Sequence, residues 1–285
     1  MKFFRAILGF AVLSAACLPM PGVAAELGDF MALPQAGSEG REAYRVFLQQ
    51  PLHRAFAIAP GGAWSWKADA SSAALAEEQA LQACRENTEQ QCVLYALDSQ
   101  VVFDAAAWPK LWGPYQSRAE AASAKVGKHC GQRFYDLAIR NPAGKPLTLS
   151  ALRGKVVVLH FWGTWCPPCR HEMPELQKLN QALNTSRDIQ LVLLQMREDI
   201  GTARVWAKNR HLDLPLYDSG MSDAGSDLLN LADGKQIRDR ELAMVFPTTY
   251  VLDRRGVVVF SHSGPVQEWQ QYLPFLRDVA ARSGK

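Results

Sequence analysis

The sequence predicts an α/β chain with a central mixed β-sheet flanked by helices, preceded by a small α+β domain. Three patterns predict it. Val156 to Trp162 is an apolar, Val-rich run without polar alternation, as in a strand buried on both faces. Met173, Leu176, Leu179 and Leu183 follow it at helical spacing. Ile189 to Gln195 repeats the buried run, and two further runs, Thr248 to Asp253 and Val257 to Ser263, lead into a last helical pattern. A β-α-β half followed by a ββα half results. Between residues 54 and 103, short strand-like runs and turns surround one Ala-rich helix, which marks a separate small unit.

Taken in order, Lys2 and Arg5 precede an apolar run from Ala6 to about Leu18. Pro19, Pro21 and Gly22 break it, and Val23-Ala24-Ala25 offers small residues before Glu26. This is the pattern of a secretory signal cleaved after Ala25, and the run is short for a bilayer span. An uncleaved membrane anchor and lipid attachment at Cys17 are the rivals, although Ser14, Ala15 and Ala16 suit a lipid site poorly. No later run is long and apolar enough to span, so a soluble exported protein is expected. The expected division is 1–25 signal peptide, 26–104 small α+β domain, 105–128 linker and 129–285 second domain.

In the small domain, Arg41 to Gln50 reads as an amphipathic helix ended by Pro51. Arg54 to Pro60 and Ala63 to Lys67 flank the turn signal Gly61-Gly62. Ser71 and Ser72 are N-cap candidates for a helix reaching about Cys84. Cys92 to Ala96 and Gln100 to Phe103 read as a second hairpin. The linker carries Trp108, Trp112 and Tyr115, which either pack it onto a domain or dock a partner. Beyond it, Phe134 to Leu137 and Pro146 to Leu149 are short strand candidates around the turn Asn141-Pro142-Ala143-Gly144. After the Ile189 strand come a helix over Thr202 to His211, a strand over Leu214 to Tyr217 and one helix around Ser226 to Leu231. Pro274 is expected to kink or split the last helix, Val266 to Arg282.

Composition narrows the function classes. The chain is 48% hydrophobic and 21% charged, ordinary for a globular protein, and its formal net charge is +3. Neither a basic stripe interleaved with aromatics nor zinc-finger spacing is present, so nucleic acid is not an expected partner. Export makes disulfides the default for cysteines. Once Cys17 leaves with the signal, Cys84, Cys92, Cys130, Cys166 and Cys169 remain. Cys84 and Cys92 close a short polar loop and read as a local structural disulfide, the alternative being a second redox pair. Cys130 is an inert thiol, a partner for Cys84 or Cys92, or an intermolecular site.

The chemistry concentrates in Cys166-Pro167-Pro168-Cys169, where a strand hands over to a helix. Two prolines suit a first helical turn, whose missing N–H groups cost little. A helix N-terminus carries partial positive charge and unpaired donors, which favour a thiolate. Cys166 is then the attacking nucleophile and Cys169, a turn deeper, the resolving thiol. Haem attachment needs His where Arg170 stands, and a zinc site needs two further ligands. Trp165 covers the pair or simply packs. His160 alternates onto the same side of its strand as Trp162 and is either a proton acceptor for Cys169 or a satisfied core histidine. Glu172 either raises the thiol pKa or merely suits the first helical turn.

HFWGTWCPPCRHEMPEL resembles the thioredoxin superfamily, and most closely its TlpA/ResA-like periplasmic thiol–disulfide reductases; Phe246-Pro247-Thr248-Thr249-Tyr250 matches a second signature of that family. The resemblance covers about Val126 to Arg282. It implies a thioredoxin-like fold with an added N-terminal hairpin, and a cis Pro247 facing the cysteines. It places Phe246 and Pro247 beside the substrate, with Phe246 bulkier than many residues found there. It puts His160 where thioredoxin has a buried acid, and makes Glu172 the acid that tunes the pair. It further implies a protein-thiol:disulfide oxidoreductase needing no cofactor or metal, acting mainly as a reductant in the periplasm. A membrane reductase of the DsbD/CcdA type would recharge it. Clients would be apocytochrome c during cytochrome c maturation, an oxidised assembly factor, or damaged periplasmic proteins. The alternative is a copper(I) metallochaperone using Cys166 and Cys169 with His171 or His160, since soft thiolates suit that ion. Related copper-handling proteins place three residues between their cysteines, against two here. A peroxidase is weaker still, because its Pro/Thr-rich motif is not found.

Overall fold

The computed structural model describes residues 26–283. The signal-like stretch, its cleavage point and Cys17 lie outside the described residues. Among those residues no helix is long and apolar enough to cross a membrane.

The N-terminal unit is built on one antiparallel sheet. Helix α1 (Gly37–Leu48) buries Tyr44 and Phe47. Its last two carbonyls, at Phe47 and Leu48, and the Gln50 carbonyl just beyond it all accept from Arg54 Nη1 at 2.5 to 2.9 Å, so a buried cation closes the negative end of the helix. Strands β1 (Ala55–Ile58) and β2 (Trp64–Lys67) form a hairpin. Helix α2 (Ala73–Arg85) starts at Ser72, whose hydroxyl accepts from Leu75 N–H. Strands β3 (Val93–Leu97) and β4 (Gln100–Val101) complete the order β2-β1-β3-β4. A disulfide joins Cys84 to Cys92 across the turn from α2 to β3.

The connecting stretch is more structured than a bare linker. Trp108 to Lys110 makes a 3-10 turn, and helix α3 (Arg118–Ser123) is closed by a Ser117–Glu120 capping box. Its aromatics are buried: Trp112 packs between Phe260 and Phe275 with ring centroids 4.5 and 4.6 Å away, and Trp108 bridges Phe103 to Phe275. These contacts join Tyr44 of α1 and Phe56 and Tyr95 of the first sheet to the helix side of the second in one apolar core.

The second unit is a seven-stranded mixed sheet. It contains β5 (Ala138–Arg140), β6 (Pro146–Thr148), β7 (Val156–Trp162), helix α4 (Pro167–Leu183), β8 (Ile189–Gln195), α5 (Ile200–Asn209) and β9 (Leu216–Asp218). A small hairpin, β10 (Leu228–Asn230) and β11 (Gln236–Arg238), leads into the single turn α6 (Asp239–Leu242). Strands β12 (Thr248–Leu252) and β13 (Val258–Ser263) precede α7 (Leu273–Arg282). The order is β13-β12-β7-β8-β9-β5-β6. Strands β7, β8 and β9 run parallel, and β12, β13, β5 and β6 are added antiparallel. All seven residues of β7 are buried, as a central strand covered on both faces requires. This is the thioredoxin-like layout, with its extra hairpin at the β5–β6 edge.

Two expected elements are corrected. Phe134 to Leu137 is not a strand; β5 begins at Ala138, and Leu137 makes only an isolated bridge to Leu231. Phe134 N–H instead bonds to the Gly256 carbonyl, and its ring sits 4.7 Å from that of Tyr250, so the segment hooks across the sheet. Ser226 to Leu231 is not a helix. Leu229 is buried between exposed Leu228 and Asn230, a period of two, and Gly234 at φ +83° turns the chain back. Pro274 does split the last helix: Trp269–Tyr272 is a 3-10 turn and Pro274 lies in the first turn of α7.

Candidate active site

Strand β7 ends against the start of α4, and the four-residue turn between and into them carries both cysteines. Cys166 is the N-cap of α4 with extended backbone, and Pro167 and Pro168 fill the first helical positions. Cys166 and Cys169 are joined as a disulfide with their Cα atoms 5.3 Å apart. The Cys169 N–H points at Cys166 Sγ from 3.2 Å, so the first free donor of the helix is directed at that sulfur. Cys169 is wholly buried, and Cys166 keeps 3% of its surface.

The walls come from two other loops, around Phe246 and around Met196–Glu198, and from the β7–α4 turn itself. The Phe246–Pro247 peptide is cis, and the Phe246 carbonyl oxygen lies 3.5 Å from Cys166 Sγ. The Thr248 hydroxyl donates to the Val245 carbonyl at 2.6 Å and closes that loop. Trp165, next to Cys166 in the chain, is 44% exposed, with its ring edge-on to Phe246 at 5.1 Å. Its Nε1–H donates to the Met196 carbonyl at 2.8 Å. Gly163 permits this fold-back, because a Cβ there would meet Trp165 Nε1 at 2.3 Å. Glu198 fastens the turn from outside by accepting from the Thr164 N–H at 2.8 Å and from its hydroxyl. Exposed Met244 and Val245 continue the apolar rim.

Behind Cys169 lies a buried polar pair. Glu172, one turn further along α4, accepts at Oε1 from the Val266 N–H at 3.0 Å and the Trp269 Nε1–H at 2.6 Å. Its Oε2 has no hydrogen-bond partner and faces His160 Nε2, also unpartnered, at 3.9 Å. The other ring nitrogen, His160 Nδ1, meets Thr249 Oγ1 at 2.9 Å. Burial raises Glu172 to about 8, against the pull of its two donors, and lowers His160 to about 3. At neutral pH the histidine is uncharged and the carboxyl largely holds its proton.

The sequence candidates Cys166, Cys169, Trp165, Phe246, Pro247, His160 and Glu172 therefore lie around one helix end. His171 is exposed on α4, and Cys130 sits at the far edge with Gln90, its thiol pushed up to about 12 by burial. Among the described residues no group of three His, Cys, Asp or Glu side chains could hold a metal ion. Sequence reasoning missed Thr249, Val266, Trp269 and Glu198. Each reaches the site from a distant segment, and only Thr249 lies within a motif already singled out.

Comparison with known proteins agrees with this geometry. The Redoxin family profile matches residues 129–272. The thioredoxin-like protein YneN of Bacillus subtilis is 31% identical over 165 residues, spanning 57% of this chain and 87% of that one. The thiol-disulfide oxidoreductase ResA of Halalkalibacterium halodurans is 29% identical, over 48% of this chain and 70% of its own. The thiol:disulfide interchange protein DsbE of Pseudomonas aeruginosa is 27% identical, over 56% and 80% respectively.

Proposed function

The chain belongs to the Redoxin family, among the TlpA/ResA-like thiol–disulfide oxidoreductases of the thioredoxin superfamily, and from that premise we propose that Cys166 and Cys169 are its redox pair and reduce protein disulfides outside the cytoplasm. In the reduced enzyme the Cys166 thiolate attacks one sulfur of a client disulfide. A mixed disulfide forms, and the other client sulfur leaves and takes up a proton. Cys169 then loses its proton and attacks Cys166 Sγ, which expels the second client sulfur. Two electrons have passed to the client, and the pair is left as a disulfide.

The observation that carries this reading is the Cys169 N–H aimed at Cys166 Sγ at the N-terminus of α4. A donor and a positive helix end in one place stabilise a sulfur anion. The Phe246 carbonyl beside the same sulfur offers an acceptor to an extended client backbone, in the manner of strand addition. Of the two buried groups, Glu172 is the better matched to Cys169: its carboxyl, held at about 8, is close to a thiol in acidity, and its ionised fraction, which grows as pH rises towards 8, accepts the proton, whereas an imidazole held at about 3 is too weak a base. His160 acts as the neutral neighbour that keeps this carboxyl desolvated. A periplasmic location, a DsbD/CcdA-type electron donor and clients on the cytochrome c assembly route complete the proposal.

Two measurements test it. Equilibration with glutathione should give a low potential for the Cys166–Cys169 couple; a value near that of the strong oxidants, about −120 mV, overturns the direction proposed. Cys169→Ala should accumulate mixed disulfides with its clients, and their identification names the substrate. Failure to trap any client while Cys166 remains reactive would remove protein disulfides as substrates.

A further inference from the structure

The segment from Val266 to Tyr272 is held from two sides. On the site side it supplies both donors to the Glu172 carboxylate, the Val266 N–H and the Trp269 Nε1–H. On the other side it is gripped by the N-terminal unit. The Gln35 N–H donates to Gln271 Oε1 at 2.7 Å, and the Ser38 N–H donates to Gln267 Oε1 at 3.1 Å. Arg41 holds Glu268 through two parallel bonds, Nη1 to Oε1 at 2.9 Å and Nη2 to Oε2 at 2.7 Å. This two-pronged geometry fixes orientation as well as charge.

What it fixes is unusual. Glu268 has φ +56°, left-handed backbone that residues other than glycine, asparagine and aspartate seldom adopt. It directly precedes Trp269 and caps the 3-10 turn. A strained residue persists when its surroundings over-determine it, and such residues gather at functional sites. Here the over-determining contacts come from Arg41 and from the Gln271 side chain.

We infer that the N-terminal unit is a positioning element of the redox site: Arg41, by gripping Glu268, fixes the turn whose Val266 and Trp269 donors hold the Glu172 carboxylate beside Cys169. Arg41 and Glu268 are positioning residues, acting through Glu172. The groups that face Glu172 are His160 from β7, Tyr272 from the 3-10 turn and Cys169 on its own helix. Of these, His160 is neutral and the Tyr272 hydroxyl is pushed up by burial and by Glu172 itself, so the two donors are the contacts that favour the ionised carboxylate. Loosening them makes Glu172 harder to ionise.

The inference rests on the reading of Cys166–Cys169 as the redox pair, and the test separates the two. The reduction potential of the whole chain is measured against pH in the wild type, Arg41→Ala, Glu268→Gln, their double variant and Arg41→Lys. Glu172→Gln identifies the bend in that curve due to Glu172, by abolishing it. In Arg41→Ala and in Glu268→Gln the bend should move up by about one pH unit, the size expected from weakening one bond to a charged acceptor. The double variant should move it no further, because the two residues form one contact. Arg41→Lys, which keeps the charge and loses the fork, should give a smaller shift in the same direction and carries the test should Arg41→Ala fail to fold. A bend that stays at its wild-type pH, moves down, or shifts additively overturns the inference. If the wild-type pair cannot be reduced reversibly, the proposed function falls instead. The Glu172 carboxyl-carbon NMR titration then still reads the clamp, with the same shift expected and an unchanged midpoint overturning it.

Discussion

Among the described residues, two disulfides lie at opposite ends of helices. Cys84 lies in the last turn of α2, where the partial charge is negative, and it packs with Cys92 among alanines. Cys166 caps the first turn of α4, with an N–H directed at its sulfur and a carbonyl at its side. One bond is set where a thiolate is disfavoured, the other where it is stabilised. Position along a helix, rather than the bond itself, thus separates the two sulfur environments.

Mutation should set the two bonds apart. Cys166→Ala should abolish reduction of a model disulfide such as insulin, while Cys84→Ala/Cys92→Ala should retain it. Activity in the first, or loss in the second with the fold intact, would reverse the assignment. Stability should respond the other way. The double Cys84/Cys92 variant should lose about 2 kcal/mol in urea unfolding, the low end for a short closed loop.

Beside Cys169, the Glu172–His160 pair makes stability depend on pH. Glu172 has its folded pKa raised to about 8 from 4.5, so its contribution is full below 4.5 and is lost as pH rises towards 8. His160 is lowered to about 3 from 6.5, so its contribution is full above 6.5 and is lost as pH falls towards 3. Urea midpoints followed across pH should therefore fall on both sides of a mildly acidic optimum. In Glu172→Gln the alkaline fall should flatten while the acid fall remains. An unchanged alkaline limb would mean that Glu172 is not held protonated. The smallest effect is expected from Trp165→Ala. With its lid removed, Cys166 should alkylate faster in the reduced protein, and KM for a peptide disulfide should rise several-fold. Equal alkylation rates would show that Trp165 does not shield the sulfur.

Much of this was legible in the sequence, for identifiable reasons. Strand β8 matches its expected limits, Ile189–Gln195, because its apolar stretch Leu191–Leu194 is short, buried and rich in branched residues. The Cys166 cap was readable because the prolines mark the first helical turn and the FPTTY signature marks the facing loop. The hairpin at Leu228 was missed because a six-residue strand pair shows too few alternations to outweigh helical spacing. Phe134 was placed in a strand because an aromatic run looks extended whether it pairs or hooks over a sheet. The donors to Glu172 were invisible because they arrive from residues 94 and 97 positions away, and one of them is a backbone N–H that no residue type advertises.

The Trp112 wedge has a practical consequence. Its indole lies between Phe260 on the edge strand and Phe275 on the last helix. A protein trimmed to begin at His129 would keep every residue of the Cys166–Cys169 turn, yet would lay those two rings open to water. Such a fragment should bind hydrophobic dyes and self-associate, even where its cysteines still exchange.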